Sequence, residues 1–347
     1  MPSHMTITEI AQESGVSIST VSRVLNGNVP VSEDKRKRVE ATIQKYNYSP
    51  NALARSLVSK HTMTIGVILP DISNPYFSSV FCEIEKAAHE AGYSILLCNT
   101  LYHSSSTGHV EEDYIQMMID KHVDGLIIAG GQQDTLNAGT SYLDAVKRSA
   151  GILPLVMIGE QIPDIPCLFL NREKMNGISD AIGYLASLGH RRIAFLGGED
   201  NVKNTVSRVA SYKDGLRNLG LSIDENLIAL TDYYAPDGYR AAEILLKRQI
   251  PFTAALAIND NVALGALRAF AEKGVKVPED VSMISCEYFT TSQFYNPPMT
   301  VIDRHNNRFG KLVIEKLLSV MKGQEETDVI DIRPDLIIRG SCAAPSK

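Results

Sequence analysis

Arg23 stands among Ser17, Ile18, Ser19, Thr20 and Ser22, one long guanidinium surrounded by short side chains. A guanidinium donates two hydrogen bonds to guanine O6 and N7, and short neighbours let a helix come close to base edges, so this grouping is suited to reading the DNA major groove. The elements that must position it are legible around it. Thr6 and Glu9 have the spacing of a capping box and predict a first helix beginning near Ile7. Ile10 and Ala11 supply its apolar face, Gly15 the turn, Ser17 the cap of a second helix, and Val21, Val24 and Leu25 its inner stripe. Asn26-Gly27 stops that helix. Ser32 is expected to cap a third helix, with Glu33 and Asp34 in its first turn and Val39, Ile43 and Tyr46 facing inward.

After Pro50, the stretch Asn51-Ala52-Leu53-Ala54-Arg55-Ser56-Leu57 is helical by propensity but only about two turns long, too short to be stable alone in water. It is expected to fold only against something else.

The runs TITEIAQESGVSISTVSRVLNG, VSEDKRKRVEATIQKYNYSPNALARSL and TIGVILPDISNPYF together resemble the LacI/GalR family of bacterial transcription regulators, and the resemblance extends from about Thr6 to Arg339. It implies that Asn51–Leu57 is a hinge helix ordering on operator DNA, with Leu53 wedged into the minor groove and Asn51, Ala54 and Arg55 beside it. An apolar wedge unstacks a base step, and the resulting bend allows additional contacts. Thr6, Ser17, Ile18, Ser19, Thr20, Ser22, Arg23 and Asn26 complete the expected DNA face.

A chain of 347 residues is too long for one ordinary core. Residues 1–61 hold eight Lys or Arg against five acids, a net of +3, and the whole-chain charge of −6 leaves −9 on the rest. A basic head on an acidic body suits phosphate contact at one end, although Lys35–Arg38 read equally well as a solvated helix face. The five cysteines are far apart and odd in number, which predicts neither a disulfide framework nor a zinc site and places the chain in a reducing compartment. No apolar run approaches a membrane span and no charged-then-apolar leader precedes Thr6, so a cytoplasmic location is expected.

Beyond residue 62, apolar runs alternate with helical stretches. Strands are predicted at Thr64–Leu69, Ser94–Cys98, Gly125–Ala129, Leu155–Ile158, Arg192–Leu196, Ala254–Ile258 and Val281–Ile284, the first followed by a helix from about Phe77 to Ala91. This pattern specifies doubly wound parallel sheets, two of them for so many strands, with ligands beyond the carboxyl ends. The resemblance implies two subdomains like periplasmic sugar-binding proteins, closing on a small effector. The expected division is a helix-turn-helix headpiece over 1–49, a hinge and linker over 50–61, and an effector and dimerisation domain over 62–347. Within the last, one subdomain is expected at about 62–166 with 296–325 and the other at about 167–295 with 326–347.

No nucleophile elbow, phosphate loop or zinc-protease motif occurs, and His190 reads as a structural turn residue, so an enzyme is not expected and no cofactor or metal is implied. An enzyme or a transported-solute binding protein on the same α/β fold is the competing class. For the effector, the resemblance implies Tyr76 and Phe77 as ring contacts, Glu160, Lys203 and Thr205 nearby, Arg208 as the gripping arginine, Tyr233 as an aromatic wall, and Asn259, which also reads as a helix cap. Three departures from the family pattern stand out: Ser285-Cys286-Glu287 where Gly-aromatic-Asp is usual, Asn171-Arg172 where Asp-Asn is common, and Asp303-Arg304 where a glutamine is common. Lys203, Arg208 and Arg304 would favour an anionic effector. Alternatively, Arg304 pairs with Glu287 or Asp303 and the cleft takes a neutral sugar, or a purine or nucleoside. A two-fold protein matching a palindromic site requires a homodimer.

Overall fold

A computed structural model describes residues 5–26, 30–48, 61–101 and 109–346, in two compact units that divide after Thr62.

The first unit holds α1 (Ile7–Ser14), α2 (Ile18–Asn26) and α3 (Glu33–Tyr46). At the start of α1 the capping box is complete: Glu9 N–H donates to Thr6 Oγ1 at 3.3 Å and Thr6 N–H to Glu9 Oε2 at 2.7 Å. Gly15 turns the chain at φ 64°, a left-handed conformation that side chains with a Cβ resist. Ile10, Ala11, Val21 and Val39 form the small core. Two details differ from expectation. Ser32 occupies the N-cap of α3, but its hydroxyl makes no capping bond. Tyr46 lies at the margin, 37% exposed, where its hydroxyl donates to Glu13, and Tyr48 packs against the core instead.

The second unit contains two sheets. The first has the order β2-β1-β3-β4-β5, all parallel: β1 (Thr64–Leu69), β2 (Ser94–Asn99), β3 (Gly125–Ala129), β4 (Leu155–Ile158) and β5 (Leu168–Leu170). Ile65, Val67 and Leu69 pack toward α4 (Pro75–Glu90) and α11 (Asn306–Met321), while Ile68 packs on the opposite face with α5 (Val110–Asp120) and α6 (Thr140–Ala150). Burial on both faces is why these strands read as unbroken apolar runs.

The second sheet has the order β11-β10-β9-β8-β6-β7, formed by β6 (Ile193–Leu196), β7 (Ile228–Ala229), β8 (Ala254–Ala257), β9 (Ser282–Ser285), β10 (Thr300–Asp303) and β11 (Asp335–Ile337), with only the β10–β11 pair antiparallel. Its helices are α7 (Ile178–Ser187), α8 (Lys203–Asn218), α9 (Ala235–Arg248) and α10 (Asp260–Glu272). The chain passes between sheets after β5, after β10 and after α11. The expected divisions near 166 and 296 therefore fall early: Leu168–Leu170 pairs with β4 in the first sheet, and Thr300–Val301 pairs with β9 in the second. Strands of three or four residues carry too little periodicity to mark such crossings from sequence.

Candidate functional site: an acid-lined cleft and a base-reading helix

On the first unit, Ser17, Ser19 and Arg23 are exposed and Ile18 is 46% exposed, while Val21 is fully buried. Ser17 Oγ accepts from Thr20 N–H at 3.3 Å, fixing the entry to α2. Thr20 and Ser22 are half-buried. Arg23 forms no ion pair among the described residues, so its guanidinium is free to meet a base. Asn26 ends α2. Asn51, Leu53, Ala54 and Arg55, and with them the hinge, lie outside the described residues.

In the second unit the loops at the carboxyl ends of both sheets meet around a cavity of about 140 Å³. Asp71 follows β1, Gly131–Asp134 follows β3, Glu173 follows β5, Glu199 follows β6, Asp232–Tyr234 follows β7, Asn259 follows β8 and Glu287 follows β9. Tyr76 and Phe77, at the start of α4, meet edge to face with centroids 5.0 Å apart and form an aromatic wall with Tyr233 and Tyr234.

The floor is an ion cluster. Arg208 Nε donates to Glu173 Oε2 at 3.0 Å, and its Nη2 reaches Glu287 Oε2 at 3.2 Å. Arg304 Nη1 lies 2.8 Å from Glu173 Oε1 and 3.3 Å from Glu287 Oε2. All four side chains are at least nine-tenths buried. Burial alone raises the Glu173 pKa, but the guanidiniums of Arg208 and Arg304 outweigh it and hold the carboxyl at about 2. Glu287 Oε1, in contrast, is buried and has no hydrogen-bond partner among the described residues.

The sequence-derived positions separate into groups. Tyr76, Phe77, Arg208, Tyr233, Asn259 and Glu287 line the cavity. Asn259 also caps α10, accepting from Val262 N–H at 2.9 Å and donating to Tyr233 O at 2.9 Å, so its amide is largely committed to structure. Thr205 is fully buried behind the wall, 2.6 Å from the Tyr233 hydroxyl. Lys203 and Glu160 are not in the lining: Lys203 Nζ donates to Gln133 O at 2.7 Å, bridging the two subdomains. Arg304 sits behind Glu173 and Glu287 rather than facing the cavity. The three expected cations thus do not surround the ligand space. The lining holds six carboxylates (Asp71, Asp134, Glu173, Glu199, Asp232, Glu287) and one guanidinium, Arg208. Asp71, Asp134, Glu173, Glu199, Asp232 and Tyr234 escaped the sequence reading, although the rule placing ligands beyond strand carboxyl ends pointed to their loops.

Further bonds close the cleft. The Tyr234 hydroxyl donates to Asp71, Asn204 Nδ2 donates to Asp134 Oδ2 at 3.2 Å, and Thr135 and Val202 form an antiparallel bridge. His190 is structural, with Nδ1 2.9 Å from Thr253 Oγ1 and Nε2 2.9 Å from Ala343 O.

Comparison with known proteins agrees with this construction. Residues 62–340 match the family described as periplasmic binding proteins and sugar binding domain of the LacI family, and residues 6–51 match bacterial regulatory proteins of the lacI family. The chain is 32% identical over 340 residues to the HTH-type transcriptional repressor PurR of Histophilus somni, covering 97% of this chain and 98% of that one. The corresponding repressor of Pasteurella multocida is also 32% identical, over 341 residues, with the same coverage. A lac repressor dimer, solved bound to operator and the anti-inducer ONPF, superposes with a TM-score of 0.85 at 26% identity, covering 98% of this chain and 99% of that chain. A helix hairpin with Arg23 exposed on its second helix, a cleft between two parallel sheets and these relatives converge: the chain belongs to the LacI family of bacterial regulatory proteins and is a DNA-binding regulator of transcription, not an enzyme.

Proposed function

We propose that the protein is a cytoplasmic, homodimeric repressor that binds a palindromic operator and is controlled by a neutral, donor-rich small molecule in the cleft, with a sugar as the effector. The observation that carries the effector reading is the lone Glu287 Oε1, a buried acceptor among six lining carboxylates. Arg208, the one lining guanidinium, is already matched by Glu173 and Glu287, which leaves an anion no partner there, and the lone acceptor rewards a ligand rich in O–H or N–H donors, because a buried acceptor left unmade is costly. The aromatic wall gives a sugar ring or a flat base an apolar face. The dimer and the palindrome are supported by the lac repressor likeness and by the small size of one headpiece. In this reading Asn51–Leu57 is the segment that orders on DNA, with Leu53 as its wedge.

A purine effector is the second reading, favoured by the similarity to the PurR repressors. Thermal unfolding of the full chain with neutral mono- and disaccharides, their phosphates, and hypoxanthine or guanine separates the two. A ligand at one hundred times its Kd adds about 2.7 kcal/mol to stability, a rise of a few degrees. Stabilisation by a neutral sugar and not by its phosphate, lost in Glu287→Gln, is expected; stabilisation by a purine alone replaces sugar with base. Stabilisation by the phosphates alone contradicts both.

A further inference from the structure

A second cavity, of about 300 Å³, opens beside the crossovers and shares no lining residue with the effector cleft. Its polar floor is built from the two arginines at which the sequence departs from the family pattern. Arg172, in the crossover after β5, donates from Nη2 to Arg304 O, and Arg304, in the crossover after β10, donates from Nη2 to Arg172 O at 3.1 Å. The two guanidiniums thus clasp each other's backbone between the two crossovers.

Their charges are not balanced. Arg304 pairs with Glu173 and Glu287, which Arg208 shares. Arg172 is 8% exposed, stacks 4.2 Å from the Phe309 ring centroid, and donates from Nη1 to the neutral Asn306 Oδ1 at 2.8 Å. Among the described residues no carboxylate lies within ion-pair distance of it. Three guanidiniums against two carboxylates leave one positive charge in a buried cluster, and an uncompensated buried charge is strongly unfavourable. Burial, and next the Arg304 charge, push the Arg172 pKa down. At the cavity mouth Lys174 and Asp328 cancel each other at 3.0 Å. The remaining wall is Asn171 and the apolar Met175, Val329, Ile330, Ile332 and Pro334.

We infer that this cavity beside the crossovers is a second ligand site, which takes a small organic carboxylate whose head meets Arg172 and whose hydrocarbon body lies on Val329, Ile330 and Ile332. A carboxylate accepts two parallel bonds from a guanidinium fork, and the apolar wall selects an organic anion over a bare inorganic one. Because Arg304 floors this cavity and also holds Glu173 and Glu287 beneath the effector, a bound anion bears on the same crossovers that close the effector cleft. This site is independent of whether the cleft takes a sugar or a purine.

Titration calorimetry of the full chain at constant ionic strength tests it, with benzoate and butyrate as probes and inorganic phosphate as comparator. One saturable site per chain is expected, at least tenfold tighter for benzoate than for phosphate, with benzoate binding weakened at least tenfold in Arg172→Gln. Val329→Asp, at a position 64% exposed, puts a carboxylate at the mouth and is expected to weaken benzoate several-fold even if Arg172→Gln does not fold. Absence of saturable binding, equal affinity for phosphate, or benzoate affinity unchanged by Val329→Asp would overturn the assignment. The last outcome also covers an anion binding at Arg208 in the effector cleft.

Discussion

Asp134 gives the cleft a pH signature that can be read from its surroundings. Burial raises its pKa from 3.8 to about 7; Lys203 opposes the shift, and Glu173 and Glu160 add to it. Between roughly pH 4 and 7 the folded chain therefore keeps a proton that the unfolded chain has released, so stability falls as pH rises through that window, by up to about 1.4 kcal/mol per pH unit. Glu173 acts with the opposite sign: held at about 2 against an ordinary 4.5, it contributes stability above pH 4.5 that is lost as pH falls toward 2. Asp260, raised to about 7, and Glu111, raised to about 8, mainly by burial, share the sign of Asp134. Asp134→Asn keeps an oxygen for Asn204 and removes one titration, so urea unfolding should show a shallower decline between pH 4 and 7 than in the parent protein. An unchanged slope would mean that Asp134 is ionised in the fold. Asp134 did not stand out in the sequence, because a lone aspartate after a Gly-Gly turn looks like any loop residue, and Asp260, beside Asn259, reads there as a helix cap. Glu287 did stand out, because a motif surrounds it.

At the scale of elements, α9 and α10 show how closely two helices approach when glycine lines the contact. A Cβ on Gly265 would collide with the backbone of Ala235 and Tyr239, and one on Gly238 with the backbone of Val262. These obstacles are main chain and cannot move as a side chain would. Gly265→Ala should force the helices apart and lower unfolding stability by about 1 to 3 kcal/mol, despite the better helix propensity of alanine. A stability equal to or above the parent in denaturant titration would show that the pair has room. The long elements of this unit were legible in the sequence, since Thr64–Leu69 is an unbroken six-residue apolar run and the 16-residue α4 is long enough to show a helical period. Leu168–Leu170 and Ile228–Ala229 were not, being three and two residues long. Because β5 is where the chain first leaves the first sheet, missing it displaced the subdomain boundary. It also hid Glu173 and left Arg172 as a bare departure from the family pattern, since both gain their meaning only when the crossovers lie side by side.

At the scale of the whole molecule, the two units divide the chemistry. The headpiece presents Arg23 exposed on α2, and the effector unit holds a closed, acid-lined cleft. Sequence signals were strongest where function requires a local device, such as the Thr6 capping box or the Gly15 turn. They were weakest where function is assembled from seven strand ends. The central claim is that α2 reads a two-fold symmetric DNA site, and selection of bound duplexes from a randomised pool by the full chain tests it most directly, with Arg23→Ala run in parallel. The parent protein should enrich a palindrome, and Arg23→Ala should cost about 1 to 3 kcal/mol per half-site with relaxed preference at one symmetry-related base position. Enrichment of an asymmetric site, or an unchanged preference in Arg23→Ala, would contradict it.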